Sequence, residues 1–158
     1  MHRPSSRAYH AAVPRGRSGV VLRARATIGA AELLTAGRSE VLLVPVGPLA
    51  AAALEASRRL RALGIGATVV DPRWISSVDP ELVRYAGKHR LVVTIEDNAL
   101  PGGFGDALAR ALRRTTSRPA LITLGLPSDF IAAGEREDIL HAYGLDADGI
   151  TRAVAAAV

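Results

Sequence analysis

The chain has 158 residues, 49% of them hydrophobic, enough for one domain that buries roughly two-thirds of its unfolded surface and too few for a second core. It carries no cysteine, which excludes a disulfide scaffold and thiolate chemistry and fits a reducing compartment, so the cytoplasm is the expected location. The net charge of +5 suggests a nucleic-acid binder until the charges are placed: residues 1–31 hold six arginines and no acid, and the remaining 14 basic residues face 15 acidic ones.

Residues 1–39 read as a basic, partly disordered arm and linker, and residues 40–158 as the domain. Tyr9 is the only aromatic residue of the arm, so phosphate contact there would rest on charge alone, and the favoured reading is a solvated segment without a nucleic-acid partner. Its arginines and serines imitate a transit peptide but form no strong amphipathic run. Pro45, Pro48 and scattered charges keep every apolar stretch short of the roughly 18 residues of a membrane helix, so no membrane partner is expected.

From Glu40 onward, short β-branched runs alternate with helical patterns, the rhythm of a mainly parallel sheet. Val41 to Val46 is apolar on both faces, as a strand covered on each side should be, and Pro45 marks either an edge strand or a strand end. Ala50, Ala53, Leu54, Ser57 and Leu60 then fall at helical spacing, with Gly64 as the stop and a second strand at Ala67 to Val70. A right-handed crossover should join those two strands.

Asp79-Pro80-Glu81 starts a short helix with a cap, a first-turn proline and an acid, ended by Gly87. The third strand, Leu91 to Ile95, runs into Glu96-Asp97-Asn98. Gly102-Gly103-Phe104-Gly105 opens a helix with Ala107, Leu108, Ala111 and Leu112 inward, and an Asp106–Arg110 ion pair is expected along it. A fourth strand spans Ala120 to Leu124, followed by a helix over Glu135 to Tyr143 and a last one capped by Asp146. The expected fold is therefore α/β in three layers, a mainly parallel sheet of four to five strands with helices on both faces.

Five segments stand in a telling order: Val-Asp-Pro-Arg-Trp-Ile at 70–75, Val-Thr-Ile-Glu-Asp-Asn at 93–98, Gly-Gly-Phe-Gly at 102–105, Leu-Gly-Leu-Pro-Ser-Asp-Phe-Ile at 124–131 and Tyr-Gly-Leu-Asp at 143–146. Over about residues 40–158 the chain thereby resembles the C-terminal domain of the transketolase family, in the form carried by the 1-deoxy-D-xylulose-5-phosphate synthases. That resemblance implies a third domain working beside pyrophosphate- and pyrimidine-binding domains. In the full-length family these condense pyruvate with glyceraldehyde 3-phosphate, using thiamine diphosphate and Mg, toward isoprenoid precursors. It also implies that the cofactor and substrate motifs belong to those two domains, in another chain or missing, so this chain alone should bind no cofactor and be inactive. Pro14-Arg15-Gly16 is a weaker match, and Ala12 stands where many members carry a phosphate-binding arginine.

No residue is assigned a catalytic or metal-binding role. Glu96, Asp97 and Asn98 form a polar cluster at a strand end that can bind a cation, cap the next turn, or hydrogen-bond across an interface; diverging adjacent side chains favour the last two. Gly102, Gly103 and Gly105 suit an anion cradle at a helix start, or simply close approach of helix to strand. Arg73 and Trp74 are a candidate contact patch, unless the domain's own core covers Trp74. His89 reads as a surface residue between Lys88 and Arg90, and Ser128 has no nucleophile elbow around it. The leading reading is an assembly and interdomain-contact module, with homodimerisation also open. The alternative is a stand-alone small-molecule or anion-binding domain.

Overall fold

The computed structural model describes residues 26–37, 39–129 and 134–158. The arginines up to Arg25, Ala12, Pro14-Arg15-Gly16, and Phe130 with Ile131 of the fourth motif lie outside those residues. The elements in order are β1 (Ala26–Ile28), β2 (Ala31–Thr35), β3 (Val41–Pro45), α1 (Ala50–Ala62), β4 (Ala67–Asp71), α2 (Pro80–Ala86), β5 (Leu91–Ala99), α3 (Phe104–Arg113), β6 (Ala120–Leu126), α4 (Arg136–Ala142) and α5 (Ala147–Ala155).

One sheet carries the order β1-β2-β4-β3-β5-β6, with β4, β3, β5 and β6 parallel, β2 antiparallel to β4, and β1 antiparallel to β2. The four to five strands expected from sequence become six because residues 26–35, placed with the arm, turn about Gly29 at φ +59° and pair onto β4. A two-residue loop with positive φ is the connection a hairpin's twist demands. The hairpin strands are short and lie beside an arginine-rich stretch, so they carry little periodic signal of their own. They cover what would otherwise be the open edge of β4.

Helices lie on both faces. On one, α1 and α5 with Leu140 of α4 pack against Leu43, Val69, Val93 and Ile95; on the other, α2 and α3 meet Leu42, Val44, Val70 and Val92. All five residues of β3 are buried, the physical reason for its unbroken apolar run. Burying each of the larger side chains contributes about 1.5–3 kcal/mol. The chain leaves β3 for β4 across one face and returns from β4 to β5 across the other, as right-handed crossovers require when their direction reverses.

Pro45 marks the end of a central strand, the second of its two sequence readings. Pairing of β3 with β4 stops at Leu43 and Val69, and Pro45 has no N–H to extend it, whereas the ladder to β5 continues through Pro45 opposite Ile95. The predicted caps are formed. Asp79 accepts from Glu81 N at 2.7 Å and also from Ala30 N at 2.8 Å, so one carboxylate starts α2 and anchors the hairpin. Those backbone donors, Ala30 first, hold the Asp79 carboxyl below its ordinary range. Asp146 accepts from Gly149 N at 2.7 Å and starts α5.

His89 departs from its expected surface position. Its side chain is 6% exposed, tilted against the Tyr85 ring at 5.1 Å, with Nδ1 at 3.0 Å from Tyr85 O. Lys88 and Arg90 on either side point outward, and their charge hid the inward turn of the residue between them. Burial pushes the His89 imidazole below its usual value, outweighing the opposing bond to Tyr85 O. With the folded pKa depressed, the unfolded chain binds the proton first as pH falls below about 6.5, so folding stability declines from there through the folded pKa. Urea midpoints measured between pH 7.5 and pH 5 should fall for the wild type and fall less steeply for His89→Gln.

Candidate functional site at the carboxyl edge of the sheet

The strand order reverses between β3 and β5, so the carboxyl ends of these neighbouring strands flank the switch point where open α/β sheets usually place their sites. Here β5 runs past its predicted end at Ile95 as far as Ala99. Its register on β6 shifts between Ile95 and Ala99, and Leu100 N donates to Leu126 O at 2.9 Å. That irregularity sets the direction of Glu96, Asp97 and Asn98.

Glu96 turns inward and is 1% exposed. Its Oε2 accepts from Phe104 N at 2.6 Å and its Oε1 from Gly105 N at 2.6 Å, so both oxygens bond the first turn of α3. The N-cap residue, Gly103, has no side chain to do this work, and Glu96 caps the helix from another strand. Short charge-assisted bonds at the positive end of a helix are among the strongest polar contacts available. Asn98 Nδ2 approaches Glu96 Oε2 at 3.4 Å and donates to Ala99 O at 3.2 Å.

Glycines make this approach possible. A Cβ on Gly103 would lie 2.5 Å from Glu96 Oε2, and one on Gly105 would lie 2.5 Å from Thr123 Cγ2 and 2.6 Å from Thr94 Oγ1. Gly102 supplies the turn with φ +79°, and Asp106 Oδ2 accepts from Gly102 N at 2.7 Å. The expected Asp106–Arg110 ion pair is absent among the described residues, because Asp106 is drawn back to the turn. Thus the two candidates that the sequence kept apart, the acidic strand end and the glycine turn, are one structure, and the backbone donors of the cradle are already bonded to the chain's own carboxylate.

Asp97 points the other way, as neighbours on a strand must, and forms an ion pair with Arg136 at the start of α4. The acids therefore do not converge, and among the described residues no three His, Cys, Asp or Glu side chains form a group able to hold a metal ion. Thiamine diphosphate with Mg needs fixed oxygen ligands for the metal that bridges the diphosphate, and this donor set does not fit it.

The second cluster ends β4, on the same edge with β3 between. Trp74 N donates to Pro72 O at 2.6 Å across Arg73, which has φ +60°, a strained three-residue turn for a residue other than glycine. Asp71 Oδ1 steadies it by accepting from Arg73 N at 2.8 Å, and the Arg73 guanidinium pairs with Glu32 of β2. Burial pushes the Asp71 carboxyl up against that bond. Trp74 and Ile75 are left 67% and 57% exposed, so the domain's own core does not cover the tryptophan. Ser128 is exposed near the end of β6.

Sequence reasoning missed the buried hydroxyls of this region. Thr94 is fully buried, lies opposite Thr123 on β6, and its Oγ1 has no hydrogen-bond partner among the described residues. A threonine within an apolar run reads as an ordinary β-former, and only the approach of Gly105 singles it out.

Among known proteins, the family described as transketolase, C-terminal domain, matches residues 29–150. The 1-deoxy-D-xylulose-5-phosphate synthase 1 of Kitasatospora griseola is 47% identical over 145 residues, covering 90% of this chain and 22% of that protein. The synthase of Frankia casuarinae is 41% identical over 150 residues, covering 92% and 23%. The chain thus spans under a quarter of the length of these curated relatives. A solved structure described as a split gene transketolase, inactive beta4 tetramer, superposes with a TM-score of 0.71 at 34% identity, covering 84% of this chain and 42% of that one. Campylobacter jejuni transketolase shares the fold with a TM-score of 0.57 at 15% identity, over 82% of this chain and 19% of that one.

Removing the buried carboxylate strands two helix N–H groups, so Glu96→Ala should cost about 3 kcal/mol in urea denaturation. Gly103→Ala should cost about 2 kcal/mol through crowding. Their combination should cost less than the sum, since the added methyl then meets no carboxylate. Thr94→Val removes an unpaired buried hydroxyl at nearly constant volume and should raise stability by about 1 kcal/mol in the same assay.

Proposed function

The chain belongs to the transketolase C-terminal domain family, and from that premise we propose that it is the third domain of a 1-deoxy-D-xylulose-5-phosphate synthase-type enzyme. Its role is assembly and interdomain contact in the cytoplasm. The pyrophosphate- and pyrimidine-binding domains, in the same or another chain, hold thiamine diphosphate and Mg and condense pyruvate with glyceraldehyde 3-phosphate. The observation that carries this reading is the alignment with synthases combined with a switch point whose carboxylate is consumed in capping α3. A general acid or base has to reach a substrate proton, and a carboxylate with 1% exposure and two short backbone bonds does not.

A stand-alone anion-binding role would require a phosphate to displace Glu96 from Phe104 N and Gly105 N, and no observation favours it. The exposed loop after β4 is the better candidate for contact with the catalytic domains. Tryptophan and arginine are the residue types most enriched where interfaces concentrate their binding energy. Here both are exposed on a turn braced by Asp71 and Glu32. A split gene transketolase relative is described as an inactive tetramer, which supports the expectation that this chain is inactive alone.

The test is reconstitution with a separately expressed protein made of the first two domains of the Kitasatospora griseola synthase. Binding measured by calorimetry should be accompanied by synthase activity that neither component has alone. Arg73→Ala combined with Trp74→Ala should weaken binding about tenfold or more, with the folding stability of the chain changed by only about 0.5 kcal/mol. Sugar phosphate formation by this chain alone would refute the reading, and so would failure of the two components to associate.

A further inference from the structure

The two edges of the sheet are managed differently. One is β1, only three residues long. The other is β6, seven residues reading Ala-Leu-Ile-Thr-Leu-Gly-Leu, with no charge and apolar side chains on both faces. Exposed edges are normally blunted by brevity, by lysine, by a bulge or by proline. Along its own length β6 has no lysine and no proline, and the extra residues of the one irregularity in its ladder lie on β5; Pro119 and Pro127 stand just beyond its ends.

The direction of its free backbone groups follows from the ladder. Ala120 N donates to Arg90 O at 2.9 Å, and Ala120 lies opposite Leu91. Alternate residues of a parallel strand serve the same neighbour. Ala120, Ile122 and Leu124 therefore turn their N–H and C=O groups to β5, whereas Leu121, Thr123 and Gly125 turn theirs outward. Among the described residues no strand pairs with that outer side.

We propose that this edge pairs with β6 of a second copy of the chain, antiparallel about a two-fold axis at Thr123, joining two sheets into one. With Thr123 opposite its own copy, Leu121 falls opposite Gly125, and every outward residue meets an outward residue in a hydrogen-bonded pair. Ile122 faces Leu124 across the axis, and Thr123 faces Thr123, both favourable cross-strand pairs. Pro119 falls opposite Pro127, so the ladder ends on each side without stranding a donor.

The register is selected by those prolines. Moving the axis by one or two residues in either direction sets one of Leu121, Thr123 or Gly125 against a proline, and a half-residue shift sets outward groups against inward ones. The ends are complementary in charge as well: Arg118 of one copy falls opposite Ser128 of the other, next to Asp129. Arg118 and Asp129 are both exposed. The contact is the same patch on both copies, and it closes on itself rather than propagating.

The β6 edge is separate from the loop bearing Trp74, so dimerisation through β6 and binding to catalytic domains succeed or fail independently. The full chain has no cysteine, which makes cross-linking specific. Sedimentation at tens of micromolar should show a dimer. Thr123→Cys should oxidise to a covalent dimer, since Cα atoms in a hydrogen-bonded antiparallel pair lie about 5.5 Å apart, within disulfide reach. Ala120→Cys alone and Leu126→Cys alone should not, their copies lying about 20 Å from each other. A mixture of those two variants should cross-link, and this arm holds even if Thr123→Cys perturbs folding, because both sites are at strand ends. A monomeric chain, a dimer whose mixed variants stay uncoupled, or a cross-link from Ala120→Cys alone would each overturn the proposal.

Discussion

A carboxylate taken out of water has to be given hydrogen-bond donors, and in this domain the donors that Glu96 finds are the first free N–H groups of α3. Much of the carboxyl half of the sheet is organised by that contact. It fixes where β5 ends relative to α3, requires Gly103 to lack a side chain, and brings α3 close enough to the sheet that Gly105 rests on Thr94 and Thr123. A longer residue at either glycine would separate helix from strand. The same contact neutralises the end of the helix dipole from within, where related α/β folds often receive a ligand.

This use of the switch point is the physical basis of the proposed assembly role for a fold otherwise suited to binding sites. The polar groups that would orient a substrate are committed: Glu96 to α3, Asp97 to Arg136, Asp106 to Gly102, Asp79 to the hairpin and α2. What the domain leaves available is surface rather than chemistry. The Arg73 turn is held in a strained conformation by two acids, and the tryptophan beside it remains uncovered. The outer edge of β6 carries no charged side chain, and among the described residues its outward backbone groups meet no strand. Both features suit the proposed contacts with other domains and with a second copy of the chain.

The antiparallel hairpin adds a constraint of a different kind. Asp79 does not merely cap α2; through Ala30 N it ties the described chain's first turn to a helix about fifty residues away. A Cβ on Gly29 would lie 2.5 Å from Asp79 Oδ1, so the turn and the cap are fitted to each other. This tie keeps the hairpin on the β4 edge, where it completes the sheet on that side.

Much of the architecture was readable from local signals. The β-branched runs at Val41, Ala67, Leu91 and Ala120, the caps Asp79 and Asp146, and the stop at Gly64 each act within a few residues, and all appear in the structure where those signals put them. The five ordered motifs carried the family in the same way. What stayed hidden depends on partners distant in sequence: the hairpin that β4 recruits, the burial of His89 between two charged neighbours, and the exposure of Trp74. Glu96 and Gly103 were both singled out, yet their union was not. Periodicity and capping report how a residue relates to its neighbours along the chain, and so they determined the elements and their order. Only folding brings the acid of a strand end against a helix start eight residues later, and that close approach decided that the acid is a cap and the glycines its socket.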